Sequence, residues 1–431
     1  MSPKRHPNPF RIHGIVTGPF FTDRLSETTR VRKTLEEPTA KLLVSGYRRM
    51  GKSSTLARAV EEVNTAGGHA ILADFSTAST VTDMANNLLA AAGKTLGRRW
   101  TSLVTDLMSR FQASLKLTPD PASGLTLPSL DVGLRQESLA TQQATLANVL
   151  NTLNELAAER GTTLGIVLDE FQEITRFGVG PDARTGTTGQ RRRSEGKTDA
   201  PARLDQPEWH LRGVIQHHQH VSYVLAGSKP SLLDAMVGRN GAFYNMLDRF
   251  AFGPIERAHM QEWIDERLRS VDLHPEGAGA LCVDWAGPRT RDIVRLARKC
   301  VDQALPGGTI DAAAVTAAFR EIVDEDQEAI HQRWQQLSTQ QQNVLRALAA
   351  EPLGPTTKDM RRRFSLDASS TGNTLKTLIH AGDLVRSAYG STYAFDDPFV
   401  RGWVIARALP DLGIRDKAIT HVATPTSEYD A

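Results

Sequence analysis

Two clusters in this sequence have the residue types and spacing of phosphate chemistry. The first is Gly46, Tyr47, Arg48, Arg49, Met50, Gly51, Lys52, Ser53 and Ser54, in which two glycines bracket four residues and Lys-Ser follows. That is G-x-x-x-x-G-K-[ST], a loop that cradles nucleotide phosphates. Gly46 and Gly51 are expected to allow backbone angles closed to other residues, so that successive N–H groups turn inward around phosphate oxygens. Lys52 brings a positive charge to the β- and γ-phosphates, and Ser53 offers a hydroxyl to Mg²⁺. The second cluster is Asp169-Glu170, directly after the apolar run Leu164-Gly165-Ile166-Val167-Leu168. Asp169 can reach Mg²⁺ directly or through water, and Glu170 is placed to orient and deprotonate an attacking water. Ser228 follows another apolar run, at the strand end where a γ-phosphate sensor belongs.

These residues need a parallel sheet to present them on one edge. Residues 42–45 have strand character and run into Gly46; a helical pattern starts at Lys52, and its dipole favours an anion at the same point. After Gly67-Gly68, residues 69–75 read as a second buried strand. Helices are expected over about 82–96, 98–115 and 139–156. Residues 117–133, rich in Pro, Gly and Ser, read as a long surface connection. Residues 164–168 and 221–225 are further strands, with a short helix over 232–237. Arg249, in 248–255, leads into a last strand. His217, His218 and His220 lack an acid or cysteine at ligand spacing, which favours an exposed helix end over a metal site.

The entry segment, residues 1–38, mixes apolar residues with Pro9, Gly14, Gly18 and Pro19. It suits either an adenine cover or closure of the sheet edge, and Thr22-Asp23 is expected to cap a helix over about 24–35. Residues 175–206 lose all periodicity and carry Arg191-Arg192-Arg193 and Lys197. Two readings stand: contact with a polyanion or partner, or a solvated insertion.

Beyond Pro254 the pattern is helical, over about 259–271, 276–285, 289–303 and 311–337. Pro288 near a helix start is expected to aim Arg289 and Arg291 outward, where one can reach a bound phosphate. From Ser338 the plan changes to helix, helix, helix, hairpin, with Ser338 and then Ser369 or Ser370 as caps. This is the winged helix-turn-helix order. Arg361, Arg362, Arg363 and Arg386 support duplex DNA as its partner, whereas the third helix offers only Lys376, Asn373 and hydroxyls, which suits a protein-packing role. The expected domains are a core over 1–255, a helical lid over 256–337 and a winged helix with tail over 338–431.

Composition fits this plan without extending it. The chain has 431 residues, 40% hydrophobic and 23% charged, with a net charge of +2. That length implies about two to three domains, and the near-neutral charge neither demands nor excludes nucleic acid. Cys282 and Cys300 suit buried small side chains rather than a disulfide framework or zinc site. No run approaches the ~18 apolar residues of a membrane span, and the first residues lack the apolar core of a signal peptide, so the expected compartment is the cytoplasm.

Taken together, Gly46 to Ser53, Leu168-Asp169-Glu170-Phe171-Gln172, Leu225-Ala226-Gly227-Ser228 and Asp396-Asp397-Pro398-Phe399 resemble the archaeal-type ATPase family, within the AAA+/STAND portion of P-loop NTPases. The likeness runs over about residues 8–405. It implies an α/β fold with a parallel sheet, helices on both faces, and the sensor strand between the phosphate-loop and acid strands. A helical lid and winged helix follow, with kinship to origin-recognition-type initiator ATPases. It also implies ATP rather than GTP, Ser228 as first sensor, Arg249 near an arginine-finger position, and Arg289 or Arg291 as second sensor. Thr22-Asp23-Arg24 stands where that family more often has Gly-Arg-Glu. The expected activity is ATP hydrolysis driving a conformational switch, with self-association or a protein partner possible. The alternatives are a nucleotide-bound DNA regulator without turnover and an ATP-dependent protein scaffold in defence or signalling.

Overall fold

The computed structural model describes residues 8–96, 115–119, 126–130, 138–177, 206–350, 357–386 and 393–409. They belong to two units: Arg24–Arg48 with Lys52–Gly253, and Met1–Asp23 with Arg49–Gly51 and Pro254–Ala431.

The first unit is built on a five-stranded parallel sheet. In chain order its elements are α1 (Leu25–Glu36), β1 (Lys41–Ser45), α2 (Lys52–Thr65), β2 (His69–Asp74), α3 (Val81–Leu96), β3 (Leu115–Pro119), β4 (Thr126–Leu130), α4 (Leu139–Glu159), β5 (Leu164–Asp169), a 3₁₀ segment (Phe171–Arg176), α5 (Pro207–Ile215), β6 (Val221–Gly227), α6 (Pro230–Val237) and β7 (Asp248–Ala251). The sheet order is β2-β5-β6-β1-β7, which sets β6, the strand that ends just before Ser228, between β1 and β5. β5 and β6 are buried along their whole length, because helices on both faces leave no solvent side. Period-two geometry divides the strand residues between those faces. Leu43, Ile71, Ala73, Ile166, Leu168, Tyr223 and Leu225 join the core under α3 and α4. On the other face a Cβ on Gly165 would fall 2.8 Å from the Leu35 side chain, and Ser222 Oγ donates to the Leu35 carbonyl at 2.9 Å. The glycine lets α1 seat directly on the sheet. β7, at the edge, exposes Asp248 and Arg249, charges that discourage pairing with a further strand.

Several expectations change here. Thr22-Asp23 does not cap α1; the cap position is Arg24, at φ 67° with no side-chain cap bond, and Thr22 Oγ1 instead lies 3.0 Å from His259 Nε2. The expected connection at 117–133 overlaps the antiparallel pair β3 and β4, with Leu115 opposite Leu130, and its other residues lie outside the described ones. His218 is not on an exposed helix end: it is 4% exposed, with Tyr223 Oη 2.7 Å from Nδ1 and Asn151 Oδ1 2.9 Å from Nε2. The expected helix over 98–115 lies outside the described residues except Leu115, and so does 178–205 of the basic stretch.

The second unit is helical: α7 (Arg257–Arg269), α8 (Ala278–Ala286), α9 (Thr290–Gln303), α10 (Ala312–Glu325), α11 (Gln327–Gln335), α12 (Thr339–Ala350), α13 (Lys358–Arg363), α14 (Thr371–Ala381) and α15 (Pro398–Trp403). Two small pairs accompany them, β8 (His274–Pro275) with β9 (Thr309–Ile310), and β10 (Leu384–Arg386) with β11 (Tyr393–Phe395). One core runs from Phe10 to Leu409 and holds Cys282 and Cys300. Phe319 on α10 meets Trp285 and Phe399 at ring centroids of 5.6 and 5.2 Å. Phe10, in the entry segment expected as an adenine cover or a closure of the sheet edge, is 1% exposed in this core against Trp263.

The single helix expected over 311–337 is two, α10 and α11, meeting at Asp326, whose carboxylate binds Arg295. Ser338 does cap α12, in a reciprocal box: Gln341 N–H donates to its Oγ and its own N–H donates to Gln341 Oε1. For α14 neither serine accepts a cap bond; Asp367 takes the N–H groups of Ser369 and Ser370. Among the described residues no helix is long and apolar enough to cross a membrane.

Candidate functional site

Strand ends and helix starts put the candidate residues where the sequence spacing asks for them. β1 ends at Ser45 beside Gly227 of β6, and β5 ends at Asp169 beside Asp74 of β2. Parallel strands therefore deliver Gly46, Asp169 and Ser228 to one carboxyl edge, the usual ligand edge of an open α/β sheet.

The two glycines of the loop serve different needs. Gly51 is at φ +93°, as expected. Gly46 has no positive φ; a Cβ there would sit 2.6 Å from the Phe252 carbonyl oxygen. Its role is to let another backbone approach, and the left-handed residue in the loop besides Gly51 is Arg49, at φ 68°.

Lys52 opens α2 and is 5% exposed. Its Nζ donates to Asp169 Oδ1 at 3.1 Å, while Ser53 Oγ donates to Asp169 Oδ2 at 2.5 Å. Asp169 Oδ1 also accepts the Glu170 N–H at 2.9 Å. One buried carboxylate thus holds a cation, a hydroxyl and the backbone of the next acid. Ser53 Oγ and Asp169 Oδ2 are hard oxygen donors side by side, the set Mg²⁺ uses when it takes one or two protein ligands and completes its shell with phosphate and water.

Glu170 turns at φ 52°. Its Oε1 lies 3.8 Å from Lys52 Nζ, and its Oε2 accepts Ser228 Oγ at 2.7 Å. Arg48 Nε in turn donates to Ser228 Oγ at 3.4 Å. The structure therefore brings Arg48, Lys52, Ser53, Asp169, Glu170 and Ser228 into one connected group.

Arg49, Arg289 and Arg291 form a second group within the second unit. Arg49 Nη2 donates to Asp396 Oδ2 at 2.5 Å, and Arg49 Nη1 reaches Asp397 at 3.0 Å and Asp292 at 3.3 Å. Arg289 does not point outward: it is 4% exposed and donates to Asp396 Oδ1 at 2.7 Å. Arg291 is exposed, and its backbone N–H donates to the Arg49 carbonyl at 2.9 Å; Thr290 Oγ1 reaches the Met50 carbonyl at 3.3 Å. Burial pushes the Asp292 carboxyl up to about 7, against the pull of Arg49 and with the push of Asp397. Arg249 lies inside β7 rather than before it, and its Nη2 donates to the Val237 carbonyl at 2.8 Å.

Sequence reasoning missed the carboxylates facing Arg49. Asp396-Asp397 is a visible pair, but nothing local ties it to an arginine more than three hundred residues earlier. It also passed over Gln172, although the residue lies in the acid motif.

No family model matches the chain, and no curated relative matches it by sequence. Among solved structures, the Walker-type ATPase PABY2304 of Pyrococcus abyssi superposes with a TM-score of 0.56 at 18% identity, over 89% of this chain and 96% of that one. The ORC1 protein of Aeropyrum pernix, solved in complex with DNA, aligns over 90% of this chain and 93% of its own at 14% identity, with a TM-score of 0.45. The first likeness and the sheet order agree on a P-loop ATPase fold.

Proposed function

We propose that this protein is a Mg²⁺-dependent ATPase of the AAA+/STAND kind, which uses ATP binding and hydrolysis as a conformational switch. The observation that carries the reading is the convergence of Lys52 and Ser53 on Asp169, with Glu170 beside them and bonded to Ser228. Lys52 binds the β- and γ-phosphates, Ser53 and Asp169 hold the metal, and the loop from Gly46 to Ser54 wraps the phosphates. When bound, Mg²⁺ supplies positive charge to the β- and γ-oxygens. Glu170 orients water and accepts its proton, and Ser228 reports the γ-phosphate. Of the two lid arginines, exposure favours Arg291 as second sensor, since Arg289 is committed to Asp396. Arg249, exposed on the edge strand, acts on nucleotide bound to a second copy.

Glu170→Gln is expected to abolish turnover while ATP stays bound, and Lys52→Ala to lose both. Unchanged hydrolysis in Glu170→Gln sinks the assignment.

A DNA-directed role has its own support. The helices α12, α13 and α14 followed by the β10–β11 hairpin keep the winged-helix order, and Lys358, Arg362, Arg363, Lys376 and Arg386 are exposed on them. ATPase rates with and without duplex DNA, together with mass measurement in ATP, decide between DNA-coupled switch and protein scaffold. Stimulation by DNA that weakens with salt and disappears when Arg361, Arg362 and Arg363 are neutralised supports the first. Indifference to DNA supports the second.

A further inference from the structure

Glu170 is held by a residue that has so far had no role. Gln172 is 1% exposed, and a buried primary amide must find partners for its donors and its acceptor. It finds them on two elements. Its Nε2 donates to Glu170 Oε2 and, at 3.5 Å, to Glu173 Oε1. Its Oε1 accepts the Ser228 backbone N–H at 3.3 Å. Turning the amide over would set its oxygen against two carboxylates and its NH₂ against an N–H, so the network itself fixes the orientation. Since Ser228 Oγ bonds the same oxygen, Glu170 Oε2 already carries two donors. The space for this amide exists because residue 227 is glycine: a Cβ there would fall 2.0 Å from Gln172 Oε1.

We propose that Gln172 is a positioning residue for Glu170. It ties one carboxylate oxygen down, leaves Oε1 as the oxygen that takes the proton from water, and links that orientation to the end of β6 through Ser228. The proposal rests on the reading of Glu170 as the base of ATP hydrolysis.

Gln172→Met keeps the length of the side chain and removes the amide. The expected result is a kcat at least about 10-fold lower, a part of the roughly 10²–10⁴ that a positioned base contributes. KM for ATP and the affinity for a non-hydrolysable analogue should stay within about two-fold, because only the chemical step is touched. Gln172→Glu places a carboxylate against Glu170 and Glu173, and it can donate again only after taking up a proton. Its kcat relative to the unmodified protein should therefore rise as pH is lowered from about 8 to about 5.5; a purely structural role leaves that ratio flat. Gly227→Ala displaces the amide by an independent route, and should reproduce the kcat loss with no further loss when combined with Gln172→Met.

A folded Gln172→Met that turns over at the unmodified rate overturns the proposal, as does a flat ratio for Gln172→Glu. Glu170→Gln, measured alongside, separates the two levels. If it hydrolyses ATP normally, the base reading fails and this inference falls with it. If it is inactive while Gln172→Met is fully active, only the positioning role fails.

Discussion

Asp169 shows how much one side chain can be asked to hold: an ammonium, a hydroxyl and a backbone N–H at once. Removing its charge leaves Lys52, 5% exposed, with Glu170 at 3.8 Å as its remaining charge partner among the described residues. Asp169→Asn should therefore destabilise the ligand-free protein by about 2 kcal/mol in urea unfolding, less than the roughly 3–5 kcal/mol of a fully orphaned buried charge. His218 makes a second prediction at this scale. Burial lowers its imidazole to about 4, with Lys41 and His217 adding to the shift, from an ordinary value near 6.5. The unfolded chain binds the proton first as pH falls, so stability is full above about 6.5 and declines by about 1.4 kcal/mol per unit down to about 4. His218→Asn should flatten that window in unfolding measurements at stepped pH. The site residues divide in legibility along similar lines. Lys52, Ser53 and Asp169 were readable because each is fixed by a strand end and a motif next to it. Gln172 was not, because its meaning depends on a glycine on another strand whose missing Cβ is invisible in the sequence.

Elements were legible where periodicity was strong and misread where a side chain competes for a backbone group. The strands β1, β2, β5 and β6 stand out as apolar runs, since both sheet faces are covered. The cap of α1 was misread because Thr22 is engaged by His259 instead. The cap of α14 was misread because Asp367, two residues before Ser369, gathers the N–H groups. The break between α10 and α11 has no proline or glycine to announce it; it falls at Asp326, which pairs with Arg295 on α9. Helix packing is tighter than propensity suggests at α15. A Cβ on Gly402 would come 2.6 Å from Phe319 Cε1. Gly402→Ala should cost roughly 1–3 kcal/mol by overpacking, read as a lower unfolding midpoint in denaturant at unchanged slope.

On the scale of the whole molecule, one buried group in each unit answers acid with the opposite sign. Asp292, in the second, is raised to about 7 by burial, so the folded state keeps a proton that the unfolded chain has already released. Its contribution is greatest below about 4 and is lost as pH rises towards about 7, at about 1.4 kcal/mol per unit. His218, in the first, has the opposite slope over nearly the same window. Asp292→Asn should remove the rising-pH loss and leave the His218 slope exposed, which calorimetry at about pH 5 and 7.5 can compare. The division into units also sets a timetable. Phe10 packs on Trp263, and Arg49 pairs with Asp292, Asp396 and Asp397. On a ribosome adding about 5–20 residues per second, Phe10 waits some ~13–50 s for Trp263 to be made, and Arg49 waits longer still for Asp396 and Asp397. The sheet unit, complete by Gly253, has all its partners before then. Phe10 and Arg49 are thus covered by partners made more than two hundred residues after them.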